Sequence, residues 1–149
     1  MKLKNKTARE RKTWEYTALE LAYKIASCRS EDPYKQVGAC AIHKKGFRVE
    51  LGYNGAPSGI EIDWSNRDER RKRVLHSEAN VLNYVLPDEI EFIAVTHLPC
   101  PECIKLIANK RIKKVIFSEY LANYDTDLTF KLAKEFRITL KQLKLNQTP

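Results

Sequence analysis

Glu91-Phe-Ile-Ala-Val-Thr96 and Lys114-Val-Ile-Phe117 are short apolar runs, and Cys100-Pro-Glu-Cys-Ile-Lys-Leu-Ile107 between them predicts a helix with Ile104, Leu106 and Ile107 facing a core. Strand, helix and strand in such close succession form a crossover unit, which favours parallel neighbours in one sheet. Downstream, residues 126–136 read as another helix, and Ile138-Thr-Leu-Lys-Gln-Leu143 alternates like a last strand. Upstream, a helical pattern runs from His76 to about Val85 and ends at Pro87. Before it, Gln36-Val-Gly-Ala-Cys-Ala-Ile42 and Phe47-Arg-Val-Glu-Leu-Gly-Tyr53 look like an antiparallel pair turning at Lys44-Lys-Gly46. Trp14, Ala18, Leu21, Ala22 and Ile25 predict a first helix closing near Cys28, whereas the polar residues 60–75 suggest no element. The order α-β-β-α-β-α-β-α-β gives an α/β fold: a three-layer α/β/α sandwich around a mixed five-stranded sheet.

At 149 residues, 43% hydrophobic and 31% charged, the chain suits one globular domain and excludes wholesale disorder or a coiled coil. We expect the domain over 14–143, a basic N-terminal tail over 1–13 and a short tail over 144–149. No apolar run approaches the ~18 residues of a membrane span, and Met1-Lys-Leu-Lys-Asn-Lys6 lacks a signal peptide's apolar stretch. A soluble, cytoplasmic protein is therefore expected. The net charge of +8 sits in two patches: residues 1–13 carry +5 and residues 67–73 carry +3. Such patches can hold phosphates, but a terminal charge run is more commonly a solvated tail, so nucleic acid is not the expected partner.

Four cysteines in a chain of this kind argue against a disulfide framework. Cys28 and Cys40 lie in apolar segments and read as buried, inert thiols. Cys100 and Cys103 are different. Three residues apart at a helix start, they place both sulfurs on one side of the first turn, where the helix dipole favours thiolate. His76, at the start of another helix, can add a nitrogen. Three protein ligands leave zinc one open position, where the pKa of water falls from 15.7 to roughly 7. Glu78, two residues on, is not needed as a ligand and can reach that water as a general acid/base. The joint pattern, His-x-Glu followed by Pro-Cys-x-x-Cys, is the signature of zinc nucleobase deaminases. A structural zinc would instead need a fourth ligand from His97, Cys28 or Cys40, and a redox pair would leave His76 and Glu78 unexplained. His97 reads as a loop residue, and His43, beside a lysine-rich turn, as solvated.

Four segments narrow the class: Arg29-Ser-Glu-Asp-Pro-Tyr-Lys-Gln-Val-Gly-Ala-Cys-Ala-Ile42, Gly52-Tyr-Asn-Gly-Ala-Pro-Ser-Gly59, His76-Ser-Glu-Ala-Asn80 and Thr96-His-Leu-Pro-Cys-Pro-Glu-Cys103. Through them the chain resembles, from about Trp14 to Leu143, the deoxycytidylate (dCMP) deaminases of the cytidine deaminase superfamily. Glu102 between the cysteines fits that branch, where tRNA adenosine deaminases typically have Met. Ser77 departs from the pattern, standing where Ala or a similar small residue is usual. The resemblance implies zinc on His76, Cys100 and Cys103, Glu78 as proton shuttle, and the backbone at Ser77 meeting the base. Asn54 matches the residue expected to bond the sugar, with a turn asparagine as the competing reading. Asn80 matches the motif's asparagine, as brace or as substrate contact. Arg29 and Ser30, or the Arg67–Arg73 cluster, are the phosphate candidates, since a guanidinium fork pairs with two oxygens. Trp64 and Tyr124 fall where the family has aromatics, to stack on a base or to pack in the core.

The implied reaction is hydrolytic: water adds at C4 of cytosine while Glu78 protonates N3, and Glu78 then passes a proton to the departing amine. That converts dCMP to dUMP and ammonia, with dCTP to dUTP as second choice, and points to thymidylate supply. The family also implies a homo-oligomer, often a hexamer, and dCTP and dTTP as effectors near Gly52–Gly59, with Mg2+ on the triphosphate. The compact 60–75 segment argues for reduced regulation. Two other readings stand. A tRNA or single-stranded nucleic-acid deaminase would suit the basic tail and predicts steep salt dependence. A non-catalytic zinc-binding module would have no use for Glu78.

Overall fold

The computed structural model describes residues 6–121 and 125–145. The Thr13 hydroxyl accepts the Tyr16 amide at 3.1 Å, and this N-cap opens α1 (Trp14–Arg29). The hairpin β1 (Gly38–His43) and β2 (Val49–Tyr53) follows, then α2 (Arg67–Arg71), α3 (Ser77–Leu82), β3 (Ile90–His97), α4 (Pro101–Asn109), β4 (Lys114–Glu119), α5 (Thr126–Glu135) and β5 (Thr139–Gln142). Helix α2 lies in the segment for which the sequence suggested no element. At five residues it shows no periodicity, and its local signal is Asn66, whose side chain accepts the amides of Asp68 and Glu69.

The sheet order is β2-β1-β3-β4-β5. β1 is antiparallel to both β2 and β3, whereas β3–β4 and β4–β5 are parallel. β1 alone therefore runs against the other four, because the hairpin reverses it and each later crossover restores the direction of β2. Alternation along β1 separates two cores. Cys40 and Ile42 join Ala18, Leu19, Ala22, Phe92, Ala94 and Ile116 beneath α1. Ala39 and Ala41 face the other way, with Ile93, Val95 and Val115, against Val81 of α3, Ile104 and Ile107 of α4 and Ala133 of α5. Covered on both faces, the central strands are nearly continuous apolar runs, and the architecture is the expected α/β/α sandwich. Glu15 of α1 fastens helix to sheet by pairing with Lys114 of β4 and, at 2.7 Å, with Lys141 of β5. No helix among the described residues is long and apolar enough to cross a membrane.

Four sequence expectations need correction. Cys28 is exposed, because the buried stripe of α1 runs through Ala18, Leu19, Ala22 and Ala26 and the thiol lies off it. Cys40 is buried as expected. His43 is only 5% exposed, since β1 is an interior strand, and its Nε2 lies 3.2 Å from Glu50 Oε1. Leu106 is 43% exposed, because α4 turns Cys103, Ile104 and Ile107 inward. His97 is the last residue of β3 and not a loop residue, and it is buried between β1 and β4.

Candidate metal centre and active site

Gly55 and Leu75 exchange backbone hydrogen bonds of 3.2 and 2.8 Å, so residues 56–74 form an excursion that returns the chain to the end of β2. His76 then takes the N-cap position of α3, and Cys100 takes that of α4. Both have extended backbones and neither caps with its side chain, leaving the imidazole and the thiol directed elsewhere. Pro101 at the first helical position lacks an amide that would go unbonded anyway, and Cys103 sits in the same turn. α3 lies hard against β2: a Cβ at Gly52 would stand 2.6 Å from the Ser77 carbonyl oxygen and 2.7 Å from the Val81 nitrogen. Asn80 braces the same junction, its amide donating to the Tyr53 carbonyl at 2.5 Å.

This framing brings the three expected ligands together. His76 Nδ1 is 3.3 Å from Cys103 Sγ and 3.5 Å from Cys100 Sγ, and the three ligand atoms all lie within 4.8 Å of one another. Hydrogen bonds from Cys103 and His76 pull the Cys100 thiol down to about 4, against the cost of burial. Cys103 is pushed up by the Cys100 thiolate, by burial and by Glu78, while its neighbour Cys100 raises His76. The three groups are thus close enough to compete for protons, and the same convergence of lone pairs can hold a dication in place of them. One imidazole and two thiolates are a zinc donor set. Among the described residues no fourth histidine, cysteine or carboxylate joins them, so the four-ligand structural site is not built.

Glu78 is 3% exposed and Ser77 fully buried, and the Ser77 hydroxyl donates to Glu78 Oε1 at 2.6 Å. Both line a cleft of about 440 Å3 together with His76 and Asn54. Its remaining wall is Val37, Val74, Leu98, Tyr120 and Leu121, plus the cations Lys35, Arg67, Arg70 and Arg71 and the imidazole of His97. That volume is in the range of small-molecule sites.

The other sequence candidates divide. Asn54 lines the cleft, yet its side chain is fully engaged: Oδ1 accepts from Ser30 Oγ at 2.5 Å and the Val37 amide at 2.9 Å, and Nδ2 donates to the Lys35 carbonyl at 2.8 Å and Asp32 Oδ2 at 3.4 Å. Ser30 is thus a partner of Asn54 and not part of the cleft wall. Arg29 is exposed, its guanidinium 6.0 Å from the centre of the Tyr53 ring. Of the two phosphate candidates, the structure brings Arg67, Arg70 and Arg71 to the cleft. Trp64 is half-buried outside it, its carbonyl accepting the Tyr34 hydroxyl at 2.7 Å. Tyr124 lies outside the described residues. Sequence reasoning missed Lys35, His97 and Tyr120. The first two stood inside motifs already singled out, and Tyr120 follows a strand with nothing local to mark it.

Residues 12–119 match the family model for the cytidine and deoxycytidylate deaminase zinc-binding region. A probable deoxycytidylate deaminase of Caenorhabditis elegans is 32% identical over 136 residues, covering 83% of this chain and 67% of its own. The deoxycytidylate deaminase of Mus musculus is 33% identical over 135 residues, covering 80% and 75%. In fold, the chain is similar to the dCMP deaminase of cyanophage S-TIM5 in apo form, at TM-score 0.67 and 23% identity, over 87% of this chain and 96% of that one. Sequence match, fold and ligand cluster coincide on the same residues: the chain belongs to the cytidine and deoxycytidylate deaminase family.

Proposed function

We propose that the protein hydrolytically deaminates a deoxycytidine nucleotide, dCMP in first place, to dUMP and ammonia. One observation carries this reading: His76, Cys100 and Cys103 meet beside a buried Glu78, in a cleft whose wall includes Lys35, Arg67, Arg70 and Arg71. A zinc ion held by His76, Cys100 and Cys103 would supply Lewis acidity and lower the pKa of water in the site. Glu78 takes the proton of the attacking water, delivers it to N3 of the pyrimidine, and passes a second proton to the amine leaving C4. The lysine and arginines meet the 5′-phosphate, a guanidinium pairing with two of its oxygens. The deaminases among its relatives support dCMP as the substrate. A free nucleotide needs no extraction from a duplex. The dUMP formed would supply thymidylate synthesis, with dCTP as a second substrate. Assembly into an oligomer and control by dCTP and dTTP belong to the same reading, supported by the likeness of the Gly52–Gly59 segment.

The test is to incubate zinc-loaded protein with dCMP, dCTP, CMP, deoxycytidine and a tRNA, and to follow cytosine-to-uracil conversion by chromatography. Conversion of dCMP ahead of the others is expected. Silence on every free nucleotide with zinc bound would overturn the proposal in favour of a polymeric substrate or a binding module.

A further inference from the structure

A buried donor left without an acceptor is destabilising, so a folded chain retains one mainly where another molecule completes it. Among the described residues two buried side-chain nitrogens lack a hydrogen-bond partner, Arg70 Nε and His97 Nε2. Both residues line the cleft that holds Glu78. For Arg70 part of the reason is structural, since its Nη1 is engaged by Asp32. For His97 the nearest group is the Glu119 carboxylate, which approaches Nε2 but completes no hydrogen bond with it.

The proton on the His97 ring can be placed from its neighbours. Thr96 Oγ1 accepts the Gly38 amide at 3.2 Å and its hydroxyl lies 2.7 Å from His97 Nδ1, while the Glu119 carboxylate on the other side of the ring favours the hydrogen on Nε2, so that Nδ1 accepts from Thr96. A ring whose Nδ1 accepts carries its hydrogen on Nε2 when neutral. Burial and the Lys35 ammonium push His97 down to about 4, so near neutral pH the ring is uncharged. Glu119 Oε2 lies 3.1 Å from Nε2 but without the alignment of a hydrogen bond, and the Glu119 side chain is 54% exposed. The result is an N–H donor of fixed orientation, 3% exposed and held by a β-strand, in a cleft that also carries Lys35, Arg67 and Arg71. Donors and cations dominate that wall, and the polar side chain of Asn54 is already engaged, so the complementary group is an oxyanion.

We infer that His97 is a specificity residue whose Nε2–H donates to a phosphate oxygen of the bound nucleotide, separating nucleotide from nucleoside. This rests on the dCMP reading above and deepens it. The test is calorimetric binding of dUMP and deoxyuridine to zinc-loaded protein, in the wild type, His97→Phe and His97→Gln, with thermal melts to confirm folding. Glutamine places an N–H near the position of Nε2, and phenylalanine keeps the ring shape without it. We expect His97→Phe to weaken dUMP about tenfold or more while deoxyuridine is unmoved, as for loss of one hydrogen bond to a charged group. His97→Gln should recover most of the difference, and His97→Leu replaces the phenylalanine variant if that one does not fold. Equal losses for the two ligands, no loss at all, or a wild type that does not prefer dUMP to deoxyuridine would overturn the assignment. A wild type that binds neither ligand and converts no free nucleotide would overturn the substrate reading, and this one with it.

Discussion

Removing the Arg70 side chain tests the frame of the cleft. Asp32 is 1% exposed, and its carboxylate receives Arg70 Nη1 at 2.5 Å, the amides of Tyr34 and Lys35 at 2.8 and 3.3 Å, and Asn54 Nδ2 at 3.4 Å. Arg70→Ala leaves that carboxylate buried with neutral donors only. Deleting one partner of a buried pair typically costs about 3–5 kcal/mol. The remaining neutral donors keep part of the stabilisation, so we expect the lower end, near 3 kcal/mol. For a chain of this size that lowers Tm by roughly 6–12 °C. Because Asp32 also sets the backbone at Lys35, the KM for dCMP should rise as well. The assay is urea unfolding of zinc-loaded wild type, Arg70→Ala, Asp32→Asn and the double variant, read as a double-mutant cycle. The double variant removes charge and partner together and should lose clearly less than the sum of the singles. An Arg70→Ala protein within ~1 kcal/mol of wild type, or strictly additive losses, would refute the buried-pair account.

Glu78→Ala should bind zinc normally by metal analysis while losing at least about 100-fold in kcat, and a near-native rate would remove it from the proton path. Cys103→Ser should lose metal, and full zinc occupancy in that variant would exclude the cysteine as a ligand. Glu15 offers a pH signature. Lys114 and Lys141 hold its carboxyl below the usual 4.5, so the folded chain binds that proton more weakly than the unfolded one. The stabilisation is complete above the unfolded value and is lost as pH falls through the lowered one. Glu15→Gln should therefore be less stable than wild type at pH 7, by under ~1 kcal/mol for this partly exposed cluster, with the gap closing in acid. A gap that persists below pH 3 would point to packing and not charge.

The metal centre was legible in two parts: i,i+3 spacing puts Cys100 and Cys103 on one side of the first turn of α4, whereas His76 joins them only because the sheet brings the start of α3 beside that of α4, which the joint motif signals and spacing does not. The sandwich was legible from the order of elements and from strands apolar on both faces, as in Ala39, Cys40, Ala41 and Ile42, which bury side chains on opposite sides of the sheet. Substrate contacts were harder. Asn54 matches a sugar-bonding position and lines the cleft, and how its amide is held depends on loops that approach it from Ser30, Lys35 and Val37, which no local pattern announces. The arginines of 67–73 read as one patch, yet Arg70 is turned inward by a carboxylate 38 positions earlier. His97 was misplaced because a histidine ahead of Leu-Pro-Cys resembles a loop when the strand's last pairing, to Glu119, is unseen.

The distance along the chain between His76 and Cys100, 24 positions, has a thermodynamic meaning beyond chemistry. Zinc held by both would close that stretch into a ring in the folded chain alone, so its binding free energy would add to the stability of the fold. The ring encloses α3 and β3, joining the β2 end of the sheet to the helix that follows β3. A cell short of zinc would thus lose the enzyme twice, first as an active site and then as a fold more readily opened and degraded.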